Sequence, residues 1–489
     1  MSTQFSTKQA FLFTVINYFG VLIGVFSTLF IYPKDKDLLG IFAFIDGFSQ
    51  ILYPIMVLGA STALLNFQPT LNAFLQRKLF SYSMVSIVWM IFLSALGVLA
   101  VYFFDWYSNK EYYVYGFLIA ICLAYVDLFK RQAMNLQKIA IPTFFEKILP
   151  KIILPLAFVL ILFYGFSETQ GISVYTFSFV IMLLAVGGYL FRFFKPVYTL
   201  RYDDLFRELS KKSYYQYSLY AFCASLGSFF AFRLDSIMIP HFLTNEANGD
   251  FRIGVNLANA LMIPATGVFA LYSPIISKAI KNSEMTLLKI KYTEVAKNLF
   301  FIGILMYGCV LLGIQGFFEL LPTADKLLST LPVLYLLGAN VVLNMATGFN
   351  TEIIAYSKFY RFNLIAILLL AVLNVSLNYY ILTQTHWGIV GVACATLLST
   401  GIFNISKLIF IYKKFRMLPF DAVYAKVFLV AICLLVLLHF LPINNLSPFA
   451  FVVKCAFFVL GLTGICYQFC WVSQLNVFVQ RFLSKIRKN

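Results

Sequence analysis

Polar punctuation divides the chain into fourteen apolar runs of roughly membrane-spanning length, and few folds accept that pattern. A helix needs about 20 predominantly apolar residues to cross the hydrocarbon core. In lipid every backbone N–H and C=O must be paired within the protein, so runs of this length are read as helices. They lie near 10–31, 39–62, 81–104, 112–130, 147–166, 172–194 and 214–240, then near 252–275, 298–320, 331–356, 362–383, 388–411, 422–441 and 449–471. Composition agrees, with 61% of the 489 residues hydrophobic and 12% charged, against roughly 25% charged in soluble domains. The surplus apolar side chain has to face lipid. The expected fold class is an all-α polytopic membrane protein with fourteen transmembrane helices.

Orientation follows from the basic residues. With the N-terminus placed inside, thirty of the 37 Lys and Arg fall in inner segments or at inner helix ends. The seven exceptions are Lys34, Lys36, Lys110, Arg233, Arg252, Lys326 and Lys454. Miscounting one span would invert every later loop and destroy this split, so the bias supports both the count and cytoplasmic termini. It also accounts for the net charge of +17 with no nucleic-acid partner. Met1–Gln9 is polar, and the run 10–31 lacks a small-residue cleavage site, which reads as a retained first span. The outer loops are too short to fold into a domain, which weighs against a membrane glycosyltransferase, polymerase or ligase. The eight Cys show no CxxC spacing and the three His stand apart, so no metal and no cofactor are expected.

Two segments are not spans. Residues 195–213 are the most charged stretch and read as a cytoplasmic connector. Leu475, Phe478, Val479, Phe482 and Ile486 recur at helical spacing among Arg481, Lys485 and Arg487, the pattern of a basic amphipathic helix on the inner leaflet. An internal repeat is also visible. DGFSQILYP (Asp46 to Pro54) and NLANALMIP (Asn256 to Pro264) both set a polar residue eight positions before a proline, and both follow a Pro-terminated span and a short polar loop. The expected organisation is a six-helix bundle over 1–194, the connector 195–213, a second, parallel bundle over 214–412, two further helices over 413–471 and the tail 472–489. Parallel repeats of this kind carry their binding site between the bundles and work by alternating access.

Ionisable groups at membrane depth are costly, which makes each a functional candidate. Asp46, Gln50 and Tyr53 share one helix face just before Pro54, and Arg252, Asn256 and Asn259 share another at the same spacing. Arg233 lies about two turns from the outer end of its span at Pro240. Asp235 is only two residues on, so the pair points in different directions. Asn340, Asn344, Thr347 and Thr351 form a polar stripe with Glu352 near its inner end, and Asn374 and Asn378 form another. Stripes of Asn and Thr also serve as interhelical hydrogen-bond glue. Arg252 fits either a cavity or snorkelling to outer headgroups. Asp46 fits a cation site, a partner for a cation on another helix, or a protonated structural residue. Asp46, Asp235 and Glu352 are the candidates for ion coupling.

NYFGVLIGVFSTLFIYP (Asn17–Pro33) and LGIFAFIDGFSQILYPIMVLGAS (Leu39–Ser61) resemble the opening of oligosaccharide flippases of the polysaccharide-transport family. FRLDSIMIPHFL (Phe232–Leu243) and GVNLANALMIPATGVFALYSPIIS (Gly254–Ser277) resemble that family's seventh and eighth spans. The wider group is the multidrug/oligosaccharidyl-lipid/polysaccharide (MOP) superfamily, which also holds lipid II flippases and drug/cation antiporters. The resemblance implies two six-helix bundles in a V with two extra helices. It further implies a bacterial inner-membrane location and a cationic cavity for the diphosphate of a lipid-linked glycan, such as an O-antigen or capsule unit. Membrane lipids, a polysaccharide polymerase and a chain-length regulator are its implied partners. Arg suits a diphosphate because its planar fork makes paired, charge-assisted bonds. The run 10–31 has no Arg where a lipid II flippase would carry them, which lowers that reading. A cation-coupled multidrug antiporter and a membrane glycosyltransferase are the alternatives.

Overall fold

The computed structural model describes residues 7–103, 110–197, 199, 201–441 and 449–486, and every element among them is helical. By contacts the chain divides into two units, one of 1–252 with 371–388, the other of 253–370 with 389–489.

The first unit opens with α1 (Thr7–Phe30), α2 (Lys36–Val57) and α3 (Ala60–Phe67). Then come α4 (Ala73–Phe103), α5 (Glu111–Asn135), α6 (Ala140–Tyr164) and α7 (Glu168–Phe191). The connector folds into the short α8 (Asp203–Glu208), followed by α9 (Lys211–Arg233), α10 (Asp235–Phe242) and α11 (Asn245–Ala260), whose last turns pass into the second unit. Helix α2 is the hub. It buries Leu39, Ile41, Phe42, Phe44 and Ile45, with Phe42 edge-on to Tyr175 of α7 and Phe44 edge-on to Tyr113 of α5. Helix α4 does the opposite, exposing Trp89, Phe92, Leu96 and Phe103, as an element facing acyl chains must. Lys78 of α4 pairs with Asp204 of α8 at 2.8 Å, and that contact holds the Asp204 carboxyl below its ordinary range.

The second unit contains α12 (Ile263–Lys281), α13 (Met285–Glu319), α14 (Ala324–Leu328), α15 (Leu331–Ala346) and α16 (Asn350–Tyr356). It continues with α17 (Arg361–Gln384), whose second half belongs to the first unit, and with α18 (Gly388–Phe415), α19 (Ala422–Phe440), α20 (Ala450–Gln468) and α21 (Ser473–Ile486). The long α13 is its axis. One side meets Val341, Met345 and Phe349, and the other meets Val427, Phe458 and Leu462 of α19 and α20.

Among the described residues eleven helices are long and apolar enough to cross a membrane, or thirteen if each bent pair is one span. The remaining expected run, 10–31, falls on α1 (Thr7–Phe30). Several expected single spans are broken. Pro54 removes a backbone donor from α2, which ends four residues later at two left-handed residues, Leu58 (φ 45°) and Gly59 (φ 74°). The run 252–275 is likewise two helices, because Pro264 stands in the first turn of α12. Thus a helix break lies near Pro54 and near Pro264 alike. The pairs α9–α10 and α15–α16 bend by 43° and 50°.

Helices α2 and α11 approach backbone to backbone. A Cβ on Gly40 would strike the Asn245 carbonyl, and one on Gly249 would strike that of Lys36. Asn248, fully buried, donates to the carbonyls of Gly40 (2.8 Å) and Ser236 (3.2 Å), and Lys36 pairs with Asp250 at 2.7 Å.

Candidate functional site

Asp46 sits midway along α2 and draws donors from three helices. Its Oδ1 accepts from Gln50 Nε2 at 2.7 Å, one turn further along the same face. Its Oδ2 faces two guanidinium groups, Arg252 Nη2 of α11 at 3.2 Å and Arg233 Nη1 at the end of α9 at 3.6 Å. Only the first is short enough for a hydrogen bond. The three side chains are 16% (Asp46), 21% (Arg252) and 32% (Arg233) exposed, so the cluster is neither sealed nor fully solvated. Two cations share one carboxylate, leaving a surplus positive charge. Each guanidinium has five donors, so most remain for an anion. Tyr53, the third residue of this α2 face, packs edge-on against Phe229 of α9, and the buried Tyr32 and Tyr175 lie within electrostatic reach of Arg252.

The bend at Leu234 separates Arg233 from Asp235, which begins α10. Asp235 is buried against α17, where Asn378 Nδ2 donates to its Oδ1 at 2.5 Å. Asn374 accepts from Asn378 and donates to the Ala231 carbonyl at 2.9 Å, near the bend. This is a buried carboxylate held by the Asn378 amide, with Arg233 directed elsewhere. Replacing Asn378 with Leu is expected to remove that donor and destabilise the protein by about 1–3 kcal/mol. Adding Asp235→Asn to that variant should recover most of the loss, as read by thermal unfolding of the purified protein. A double variant no more stable than the single one would sink the idea.

The other candidates lie in the second unit. Asn256 is half-buried and Asn259 exposed on α11. Asn344 belongs to a network at the α15–α16 bend, where Gly348 is left-handed (φ 60°). Asn404 of α18 donates to Asn344 at 2.8 Å and accepts from Asn350 at 3.1 Å. Tyr292 and Tyr424 cap the Thr347 and Ala346 carbonyls beside the bend, at 3.1 and 3.3 Å. Glu352 is half-buried on α16, within electrostatic reach of Lys407.

Sequence reasoning assigned no role to Asn404, Tyr292 or Tyr424, and it counted Lys407 among cations at an inner helix end. The available signal was position, since Lys407 lies well inside an α18 that ends with Lys413 and Lys414. It also passed over Asp127 of α5, which accepts from Ser61 of α3 at 2.5 Å beside the break after α2.

Neither a protein-family model nor a curated protein sequence matches the chain. Solved structures do. The lipid II flippase MurJ in an inward closed conformation is similar with a TM-score of 0.71 at 14% identity, covering 94% of this chain and 99% of that one. An inward-facing multidrug resistance MATE family transporter of the MOP superfamily gives 0.61 at 14% identity, over 83% of this chain and 98% of its own. A MOP superfamily transporter from Pyrococcus furiosus, described as having a binding pocket of reversed polarity, gives 0.51 at 14% identity, over 84% and 98%. The chain therefore has the all-helical fold of the MOP transporters.

Proposed function

We propose that the chain is a non-enzymatic flippase that moves a polyprenyl-diphosphate-linked oligosaccharide from the inner to the outer leaflet of a bacterial inner membrane by alternating access. It would feed cell-surface polysaccharide synthesis, of O-antigen or capsule type, alongside a polymerase and a chain-length regulator. The observation that carries the reading is the convergence of Arg233 and Arg252 on Asp46, two forked donors with a surplus charge in a partly open setting. A diphosphate offers several anionic oxygens to such a pair, and bidentate pairing is where Arg exceeds Lys. Gln50 orients Asp46, and Asn256, Asn259 and Asn344 of the second unit are amides of the kind that bind sugars. The MurJ structure, a lipid II flippase by its description, spans 94% of this chain, which supports cargo on a lipid carrier.

A cation-coupled multidrug antiporter is the second reading. The MATE structure supports it, as does Asp235, a buried carboxylate bonded by Asn378 that suits ion coupling. The two readings separate in vesicles holding the purified full chain. A flippase exposes a lipid-diphosphate oligosaccharide to a glycosidase outside and leaves a cationic dye where it was. Dye movement with the glycolipid static would overturn the flippase.

A further inference from the structure

Lys407 is 2% exposed inside the second unit, in an α18 that reads as a membrane span. A charge in that position is expensive unless it does something. Its Nζ donates to Thr351 Oγ1 of α16 at 2.7 Å and sits 3.7 Å from the centre of the Phe403 ring. A neutral hydroxyl and a ring face stabilise an ammonium only in part. Thr351 itself is exposed, and the half-buried Glu352 beside it is within electrostatic reach of Lys407. The amine thus has a hydrogen-bonded exit from the interior. The other titratable groups nearby, Tyr292 of α13 and Tyr424 of α19, spend their hydroxyls on the Thr347 and Ala346 carbonyls.

We infer that Lys407 is a proton-binding site, loaded and unloaded through Thr351, and that its charge sets the bend between α15 and α16. On release, the proton leaves Nζ along the hydrogen bond to Thr351 Oγ1. The hydroxyl's own proton, which otherwise points to Asn350 Oδ1 at 3.1 Å, passes to water at the exposed side of Thr351, leaving a neutral amine, an alcohol and a hydronium ion. Loss of charge weakens the tie from α18 to α16 and abolishes the cation–ring attraction. Helix α16 is the element that responds: it is two turns long and joined to α15 by residues 347–349, with Gly348 left-handed, while Ile353 and Ile354 anchor one face in the core and Asn350 holds Asn404 of α18 at 3.1 Å. This adds a source of energy to the flippase reading but does not depend on it.

The test places spin labels, carried on unnatural amino acids, at positions 355 of α16 and 405 of α18, both exposed. The distance between them is measured in the full chain in nanodiscs across a range of pH. The unsubstituted protein should pass from one distance population to another as buffer goes from acid to alkaline. Lys407→Arg, which keeps its charge, should hold the acid population at every pH. Lys407→Met, which has none, should hold the alkaline one. A residue with only a packing role would not give opposite fixed states. A single population at every pH in the unsubstituted protein, or a pH response surviving in both variants, would overturn the assignment. In vesicles, an imposed pH gradient should speed flipping of the lipid-diphosphate glycan by the unsubstituted protein and not by Lys407→Arg. Labels that respond to pH in a protein that flips nothing would sustain the proton site and remove the flippase.

Discussion

Replacing Arg233 and Arg252 together with Ala is expected to cut glycan export by roughly 100-fold or more, with the protein still abundant in the membrane. The magnitude follows from the bonds lost. A hydrogen bond to a charged group is worth about 1.5–3 kcal/mol, so losing one from each guanidinium removes at least about 3 kcal/mol, or two orders of magnitude in binding. Each single variant should lie between. Arg→Lys should be closer to Ala than charge alone suggests, because Lys keeps the charge and loses the fork. One confounding effect needs control: removing both cations strands Asp46, which they now face at 3.2 and 3.6 Å. Adding Asp46→Asn removes the stranded charge, so a triple variant that is stable and still inactive assigns the loss to the substrate. Surface glycan measured at normal levels in the double variant would take both arginines out of the site.

The second large effect is expected on stability. Gly40→Ala should destabilise the protein by about 1–3 kcal/mol, the usual range for overpacking, and the upper end is expected here. The clash is with the main-chain carbonyl of Asn245, which cannot rotate away as a side chain can. Retreat of α11 would also stretch the bonds of Asn248 and the Lys36–Asp250 pair. Gly24→Ala is the matched control, since a Cβ there meets nothing within 4 Å. Thermal unfolding of the two variants side by side decides the matter. Equal melting would mean that the approach of α2 to α11 is looser than it looks.

The helices were largely legible in the sequence because hydropathy over about 20 residues is a strong local signal. Their breaks were not. Pro54 announced a kink, yet α2 runs on through Val57, because the interruption is set by Leu58 and Gly59 in left-handed conformations. Gly348 gave no warning at all, since a left-handed glycine and an ordinary one look alike in a sequence. The candidate site was legible in its residue types and not in its pairings. Asp46 and Arg252 are 206 residues apart, and among the roles left open for Asp46 the structure shows a partner of cations from other helices. Spacing along one helix foretold that Arg233 and Asp235 diverge. It did not foretell that Asn378 would meet Asp235 from 143 residues away.

The sharing of Asp46 by two arginines has an electrical consequence. The empty cluster holds two positive charges and one negative. On the flippase reading a bound diphosphate brings two negative charges, so the cluster carries a net positive charge when empty and a net negative one when loaded. A transmembrane voltage acts on charge in motion, at about 2.3 kcal/mol per elementary charge per 100 mV. A voltage that favours travel of the loaded cluster in one direction therefore also favours return of the empty one in the other, so the membrane potential itself would rectify the cycle.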